Sequence, residues 1–377
     1  MRVFAQPVAS VDFRHGGLLI TGHPLEERGV HRRALIRDEG MLAVHDLESL
    51  FNGVTAPQIS FRSPWPGWRR GVDSVSPDLS FAVFSGQRAI CAVEPDGGVR
   101  WEYGHECWGY REHDHTVADH VCAGLESGSV RVSDDGTLVW GHVRGFEYEE
   151  WVVLDAITGR VVAKTPLDSA AVGSVHIAHP DGEHVGLSIG MGQDGSMLYW
   201  ARWEKGNLHS WDMNDDDRIL VDVHPSGGRF LTLDHNCGDL SVHAFPSGTA
   251  LATVDDSTIP PLQPGDAYED YENEDAAYWD YYCGHIDSTA VIASTTEADE
   301  EHGEGRHWLL DSATLEVLGQ VGYPCPPEGP ARPLGDGTWL TYNADSGQLT
   351  RWALPSWTGS FAGVARVAER AAEAQEA

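Results

Sequence analysis

The chain has 377 residues, 41% hydrophobic and 22% charged, which excludes a disordered polymer and allows two or three ordinary domains or one large closed repeat. Its 58 acidic and 25 basic residues give a formal charge of −33, a field that repels polyanions and argues against nucleic-acid binding. Only two of the cations are lysines, Lys164 and Lys205, a bias that a GC-rich genome or a salty cytoplasm would each produce.

The first segment, "MRVFAQPVASVDFRHGG", has neither a basic leader nor a continuous apolar run, and no 18-residue apolar stretch follows it, so a cytoplasmic protein is expected. The six cysteines, at 91, 107, 122, 237, 283 and 325, are never adjacent and read as free thiols in a reducing compartment. The stretch "RVFAQPV" is expected to join the last repeat as a strand, because tying the two ends together removes an open sheet edge.

From there one pattern recurs: a Pro, Asp, Ser or Gly cluster leads directly into a short apolar run, and a second turn follows between two more such runs. The first unit opens on "RHGGLLI" at His15, with "AVHDLESLF" around Asp46 as its second turn and "IRDEGMLAV" as the rival. The second pairs "SPDLSFAVF" at Asp78 with "CAVEPDGGVRW" around Glu94, and the third pairs "SDDGTLVW" at Asp135 with "VVLDAITGRVV" around Asp155. The fourth carries "HPDGEHVGL" at Asp181 and "ARWEKGNLHSW" around Trp203, and the fifth "HPSGGRFLTL" at Ser226 and "VHAFPSGTALA" around Phe245. The sixth has "HIDSTAVIA" at Asp287 and "WLLDSATLEVL" around Asp311, and the seventh "LGDGTWLTY" at Asp336 and "RWALPSWTGSF" around Ala353.

The first turns lie 45 to 63 residues apart, and the shorter spacings match the roughly 40 to 50 residues of a four-stranded blade. Leu220 to Val254 parses into four short strands without helical periodicity. The expected fold is therefore all-β: a seven-bladed β-propeller of four-stranded antiparallel blades over residues 1–358. Six or eight blades, or a pair of stacked β-sandwiches, would also use regularly spaced strands, but paired turns at two fixed phases favour the propeller. Residues 359–377 turn to Ala, Glu and Arg and are expected to form a short helix or a tail.

Two stretches, "CAVEPDGGVRWEYG" (Cys91 to Gly104) and "VVLDAITGRVV" (Val152 to Val162), resemble the repeat of the WD40-like and quinoprotein-like (PQQ-like) β-propeller superfamily. The resemblance implies architecture and no particular activity. Quinone-dependent alcohol dehydrogenases of that superfamily are exported and carry a vicinal disulfide, which this sequence lacks, so quinone chemistry is not carried over. Trp211-Asp212 falls out of phase with the WD40 position and is not counted as that motif.

In a four-stranded meander, second-to-third loops and blade-to-blade connections share a face, and the long irregular segments fall there: Arg62 to Gly71, Gly104 to Cys122, Arg144 to Glu150, Trp211 to Asp217, Pro264 to Tyr282 and Thr295 to His307. Their mix of aromatic rings and acids suits a protein partner or a cationic ligand, with Trp65, Trp68, Trp108, Tyr110, Tyr268, Tyr271, Trp279, Tyr281 and Tyr282 as the candidate binding residues. The bland alternative is that the rings cap the blades and the acids solvate them.

"GHECWGYREHDHTVADHVC" (Gly104 to Cys122) holds the candidate metal ligands His105, His113, His115 and His120, since extended residues two apart point to one side. Cys107 and Cys122 add sulfur donors, Glu106, Glu112 and Asp114 outer acceptors, and Tyr281, Cys283 and His285 further partners. The stretch meets no established metal spacing, and the sequence has no GxSxG elbow or Walker loop, while "GMGQDG" at Gly190 reads as a strand-linking turn. The expected function is thus a non-enzymatic interaction or ligand-binding propeller without a cofactor. The alternative is a metal-dependent hydrolase or lyase using a divalent ion in the 104–122 loop.

Overall fold

The computed structural model describes residues 2–13, 32–38, 40–65, 67, 70–109, 126–204, 206–213, 217–260, 277–295, 306–325, 327, 329–343 and 345–355. Strands β1 (Arg2–Phe4) and β2 (Gln6–Asp12) join sheets whose other strands lie far along the chain. Blade one shows β3 (Arg33–Asp38), β4 (Met41–Asp46) and β5 (Ile59–Arg62). Blade two has β6 (Ser74–Val75), β7 (Ala82–Ser85), β8 (Ala89–Val93) and β9 (Val99–Gly104), and blade three β10 (Ser129–Val132), β11 (Leu138–Arg144), β12 (Glu149–Asp155) and β13 (Val161–Leu167). Blade four is β14 (Gly173–Ala178), β15 (His184–Gly190), β16 (Ser196–Glu204) and β17 (Asn207–Asp212), and blade five β18 (Arg218–Val223), β19 (Arg229–Asp234), β20 (Asp239–Ala244) and β21 (Ala250–Asp255). Blade six has β22 (Trp279–His285), β23 (Ala290–Thr295), β24 (His307–Asp311) and β25 (Val317–Gly322), extended by β1, which runs parallel to β25. Blade seven has β26 (Arg332–Pro333), β27 (Thr338–Asn343) and β28 (Gln348–Ala353), with β2 antiparallel to β28 as its fourth strand. The fold is a seven-bladed β-propeller, and among the described residues no helix is long and apolar enough to cross a membrane.

Seven of the turns form where the sequence places them because an acidic side chain closes them locally. Asp78 accepts from the Ser80 N–H at 3.0 Å, Asp135 from Thr137 at 3.0 Å, Asp155 from Thr158 at 2.8 Å and Asp181 from Glu183 at 2.8 Å. Asp287, Asp311 and Asp336 do the same for the Thr289, Thr314 and Thr338 N–H groups at 2.6, 2.8 and 3.0 Å. In blade one the "IRDEGMLAV" turn joins β3 to β4, whereas "AVHDLESLF" runs into the short helix α1 (Leu47–Phe51), capped by Asp46 through the Ser49 N–H, on the way to β5. The "RHGGLLI" turn and residues 359–377 lie outside the described residues.

Blade seven corrects two expectations. The fourth strand of blade seven is β2 and not a partner from beyond "RWALPSW", and "RVFAQPV" divides, Arg2–Phe4 going to blade six and Gln6 onward to blade seven. Pro7 explains part of this: it offers no N–H, so it sits in an outermost strand next to a register shift between Pro7 and Ala9.

Contacts divide the chain into two compact units. The larger, His15–Gly238 with His243–Ala250, packs its sheets through tryptophans: Trp140, Trp151 and Trp200 are fully buried, each removing on the order of 200 Å² from water. Trp101 donates its indole N–H to the Ala156 carbonyl at 2.9 Å. Gly159 in the same turn has φ +68°, and a Cβ there would come within 2.6 Å of the Trp101 ring, so only glycine suits both backbone and neighbour. The smaller unit, Met1–Arg14, Asp239–Val242 and Leu251–Ala377, has its own core around Ile286, Ile292, Leu309, Trp339 and Trp352.

Candidate functional site

Within the larger unit, five loop segments are laced together on the side of the second-to-third turns. The Glu106 N–H donates to the Arg144 carbonyl at 3.0 Å, joining the start of the β9–β10 connection to the β11–β12 hairpin. Ser127 N–H donates to Val172 O at 3.1 Å, and Val172 N–H to Gly190 O at 2.8 Å, which brings in the end of the same connection, the β13–β14 connection and the β15–β16 turn. That last turn is "GMGQDG", a strand-linking turn as expected. The β11–β12 loop is tight, with Gly145 N–H bonded to Tyr148 O at 2.9 Å, and it holds Phe146 and Tyr148 at 72% and 57% exposure. Glu106, Glu147, Asp168 and Asp194 are exposed on these segments.

The root of the hairpin is a buried carboxylate. Glu149 accepts from His142 Nε2 at 3.1 Å, Arg144 at 3.1 Å, the Ser169 hydroxyl at 2.5 Å and the Ala171 N–H at 2.9 Å. Burial alone would raise its pKa, but the hydrogen bond and electrostatic attraction of His142, with hydrogen bonds from Ser169 and Ala171, outweigh it and hold Glu149 at about 2. The network continues from His142 Nδ1 to Ser174 Oγ at 2.9 Å, Ser174 Oγ to Ser129 Oγ at 2.8 Å, Ser129 Oγ to His176 Nδ1 at 2.9 Å, and His176 Nε2 to Trp151 Nε1 at 2.9 Å.

Two rules orient the ends of this chain: an indole N–H only donates, and a carboxylate only accepts. Neutral His176 Nε2 therefore accepts and its Nδ1–H donates to Ser129, His142 Nε2–H donates to Glu149, and the Ser129 and Ser174 hydroxyls bridge the two rings. Burial, first among the causes, lowers the His176 pKa well below 6.5, as the neutral ring requires. Ser129, His142, Glu149 and His176 are all buried, so the chain ties β10, β11, β12 and β14 together and fixes the hairpin that presents Phe146 and Tyr148.

Of the residues singled out from sequence, Trp65 is half-buried against the core of β4, β5, β7 and β8. Trp108 and Trp279, at 5% and 0% exposure, are core side chains rather than surface rings, which corrects their placement among the binding residues. Trp108, just after β9, belongs to the core cluster of Trp140 and Trp151, where burial takes its large ring out of water. In the smaller unit, Tyr281 and Tyr282 are exposed at 53% and 39% because β22 bulges between Trp279 and Cys283. The Arg332 guanidinium lies 4.5 Å from the Tyr282 ring centre. Cys283 and His285 are buried in the same strand.

His105 is half-buried, its Nδ1–H donating to the Glu106 carbonyl at 2.7 Å, and burial lowers its pKa to about 4. Trp68, Tyr110, Tyr268, Tyr271, His113, His115 and His120 lie outside the described residues. Among the described residues, the group of His, Cys, Asp and Glu side chains close enough to share an ion lies elsewhere, at His179, Asp181 and His184 in the β14–β15 turn. The spacing His-x-Asp-x-x-His was visible in "HPDGEH", but the turn reading of Asp181 absorbed it.

No family model and no curated protein matches the sequence. Solved structures do match in fold. U3-55K superposes with a TM-score of 0.56 at 9% identity, covering 93% of this chain and 100% of its own. The Myceliophteria thermophila Cps50 (Swd1) β-propeller domain gives 0.52 at 12% identity over 91% of this chain and 99% of its own. BBS1N, in a complex with ARL6DN, gives 0.52 at 12% identity over 94% and 98%.

Proposed function

We propose that the chain is a non-enzymatic binding propeller of the cytoplasm that docks a protein or a cationic ligand on the loop-bearing side of its larger unit. The observation that carries this reading is the β11–β12 hairpin: two exposed aromatic residues, Phe146 and Tyr148, stand on a root whose buried Glu149 fixes it before any partner arrives. Rings held in this way lose little conformational freedom on binding, and such aromatic residues are enriched among those that dominate interface energies. The exposed acids beside them and the charge of −33 favour a basic partner and speed its approach. BBS1N, similar in fold, is described with a bound protein, ARL6DN, so this scaffold is compatible with a docking role.

The test compares wild type with a Phe146→Ser/Tyr148→Ser variant, first by affinity capture and then by titrating the purified captured protein against both. A Kd weakened by about tenfold or more at an unchanged Tm supports the reading. Equal affinity for both proteins overturns it.

A further inference from the structure

The geometry points to a divalent transition-metal site, of the kind zinc occupies, formed by His179 Nδ1, Asp181 Oδ2 and His184 Nδ1 in the β14–β15 turn. The three donor atoms lie within 4.8 Å of one another, and the Asp181 oxygen stands 2.9 Å from His179 Nδ1 and 2.7 Å from His184 Nδ1. Two imidazoles and a carboxylate suit a borderline-soft divalent ion.

The surrounding contacts orient these donors. His179 Nε2 lies 2.7 Å from the Gly227 carbonyl, which can only accept, so Nε2 carries the proton and Nδ1 keeps its lone pair. The Asp181 N–H points at that same Nδ1 at 3.3 Å. His179 Nδ1 thus faces a carboxylate oxygen at 2.9 Å, a pair that is held together by a cation between them, either a proton or a metal ion. A backbone carbonyl holding the far nitrogen of a ligating histidine is the usual outer support of a metal site. Gly227 makes the approach feasible: its φ is +74°, and a Cβ there would come within 2.7 Å of His179 Cε1.

The remaining walls fix both rings. His179 lies 4.2 Å from the Phe245 ring and 5.9 Å from Trp200, and His184 lies 5.0 Å from Phe245 and 5.9 Å from Trp211. Asp181 Oδ1 is anchored by the Glu183 and His184 N–H groups at 2.8 and 3.0 Å, leaving Oδ2 for the two imidazoles. The aspartate side chain is 37% exposed against 5% and 14% for the histidines, so an ion would enter from the aspartate side with the aromatic wall behind it.

This site belongs to a first-to-second turn and is independent of the docking hairpin. The full chain, purified without an affinity tag and stripped with a chelator, is titrated with zinc by calorimetry and with cobalt by visible absorption. Asp181→Asn, His184→Ala and a His113→Ala/His115→Ala variant are compared with wild type, Asp181→Asn being chosen because asparagine still caps the turn. One equivalent should bind wild type and the 113/115 variant, the cobalt complex should show nitrogen-ligated d–d bands, and both turn variants should bind at least about 100-fold more weakly. Zinc should also raise the Tm of wild type and leave that of Asp181→Asn unchanged. Absence of binding to wild type, or binding that survives both turn substitutions, overturns the assignment.

Discussion

Trp151 and His176, on strands of neighbouring blades, meet through an indole N–H to imidazole hydrogen bond of 2.9 Å with both side chains buried. That contact fixes the tautomer of the neutral His176 ring, whose Nδ1–H donates to Ser129, and Ser129 and Ser174 carry the network on to His142 and the Glu149 carboxylate.

Replacing Trp151 with Phe keeps most of the ring and removes the donor. His176 Nε2 is then buried without a partner, which costs about 2 kcal/mol, and the serines regain freedom to turn. Urea denaturation should show a lower midpoint at an unchanged slope, and a midpoint equal to that of wild type would mean the chain is not held from the tryptophan end.

Glu149 makes the same network sensitive to acid. Its folded pKa of about 2 lies below the ordinary value of 4.5, so its contribution to stability is fully present above pH 4.5 and is lost as pH falls towards 2. The shift corresponds to about 3 kcal/mol. The stability gap between wild type and Glu149→Gln, measured by denaturation at a series of pH values, should be flat above pH 4.5 and close below it.

A second chain of this kind holds the smaller unit. Trp339 Nε1–H donates to the Tyr323 hydroxyl at 2.9 Å, Tyr323 donates to His307 Nδ1 at 2.5 Å, and His307 Nε2–H donates to the Gly329 carbonyl at 3.2 Å. Burial lowers the His307 pKa from 6.5 to about 4, so the neutral ring stabilises the fold above pH 6.5 and that stability is lost as pH falls from 6.5 to 4. The His307 ring resonances should not titrate until near pH 4. Tyr323→Phe strips the indole and the imidazole of their shared partner at once and should cost about 3 kcal/mol in denaturant unfolding.

What the sequence makes legible follows from the range of each interaction. Asp78, Asp135, Asp181, Asp287 and Asp336 bond to N–H groups two residues on, so the turn and its cause sit in one short window and the blade rhythm can be counted. Ser129 and His176 are 47 residues apart, and nothing near either residue signals the other. Trp108 and Trp279 illustrate a different failure: an aromatic residue in an irregular polar stretch looks like a surface ring, while the packing that buries it comes from strands elsewhere in the chain. The His179 cluster was hidden in plain spacing, because one function of Asp181, capping the turn, left its second oxygen out of the account.

The origin of the fourth strand of blade seven yields the last prediction. β2 pairs with β28 from Gln6 opposite Ala353 to Asp12 opposite Gln348, Ser10 and Thr350 share a hydroxyl contact at 3.2 Å, and the Phe13 N–H closes on Gly347 O at 2.6 Å. Most β2 side chains are exposed, so its value lies in the backbone ladder and little in apolar burial. Removing residues 1–12 takes the buried Ala5 out of the core, strips β1 from β25 and β2 from β28, and opens the N–H and C=O groups of both strands to solvent and to other chains. The truncated protein should keep its far-ultraviolet spectrum at low concentration, melt several degrees lower, and form concentration-dependent oligomers in size-exclusion chromatography. A synthetic peptide of residues 1–13 added in trans should reverse both effects, since it restores the same register. A truncated protein that stays monomeric with an unchanged Tm would show that β1 and β2 do not protect these edges.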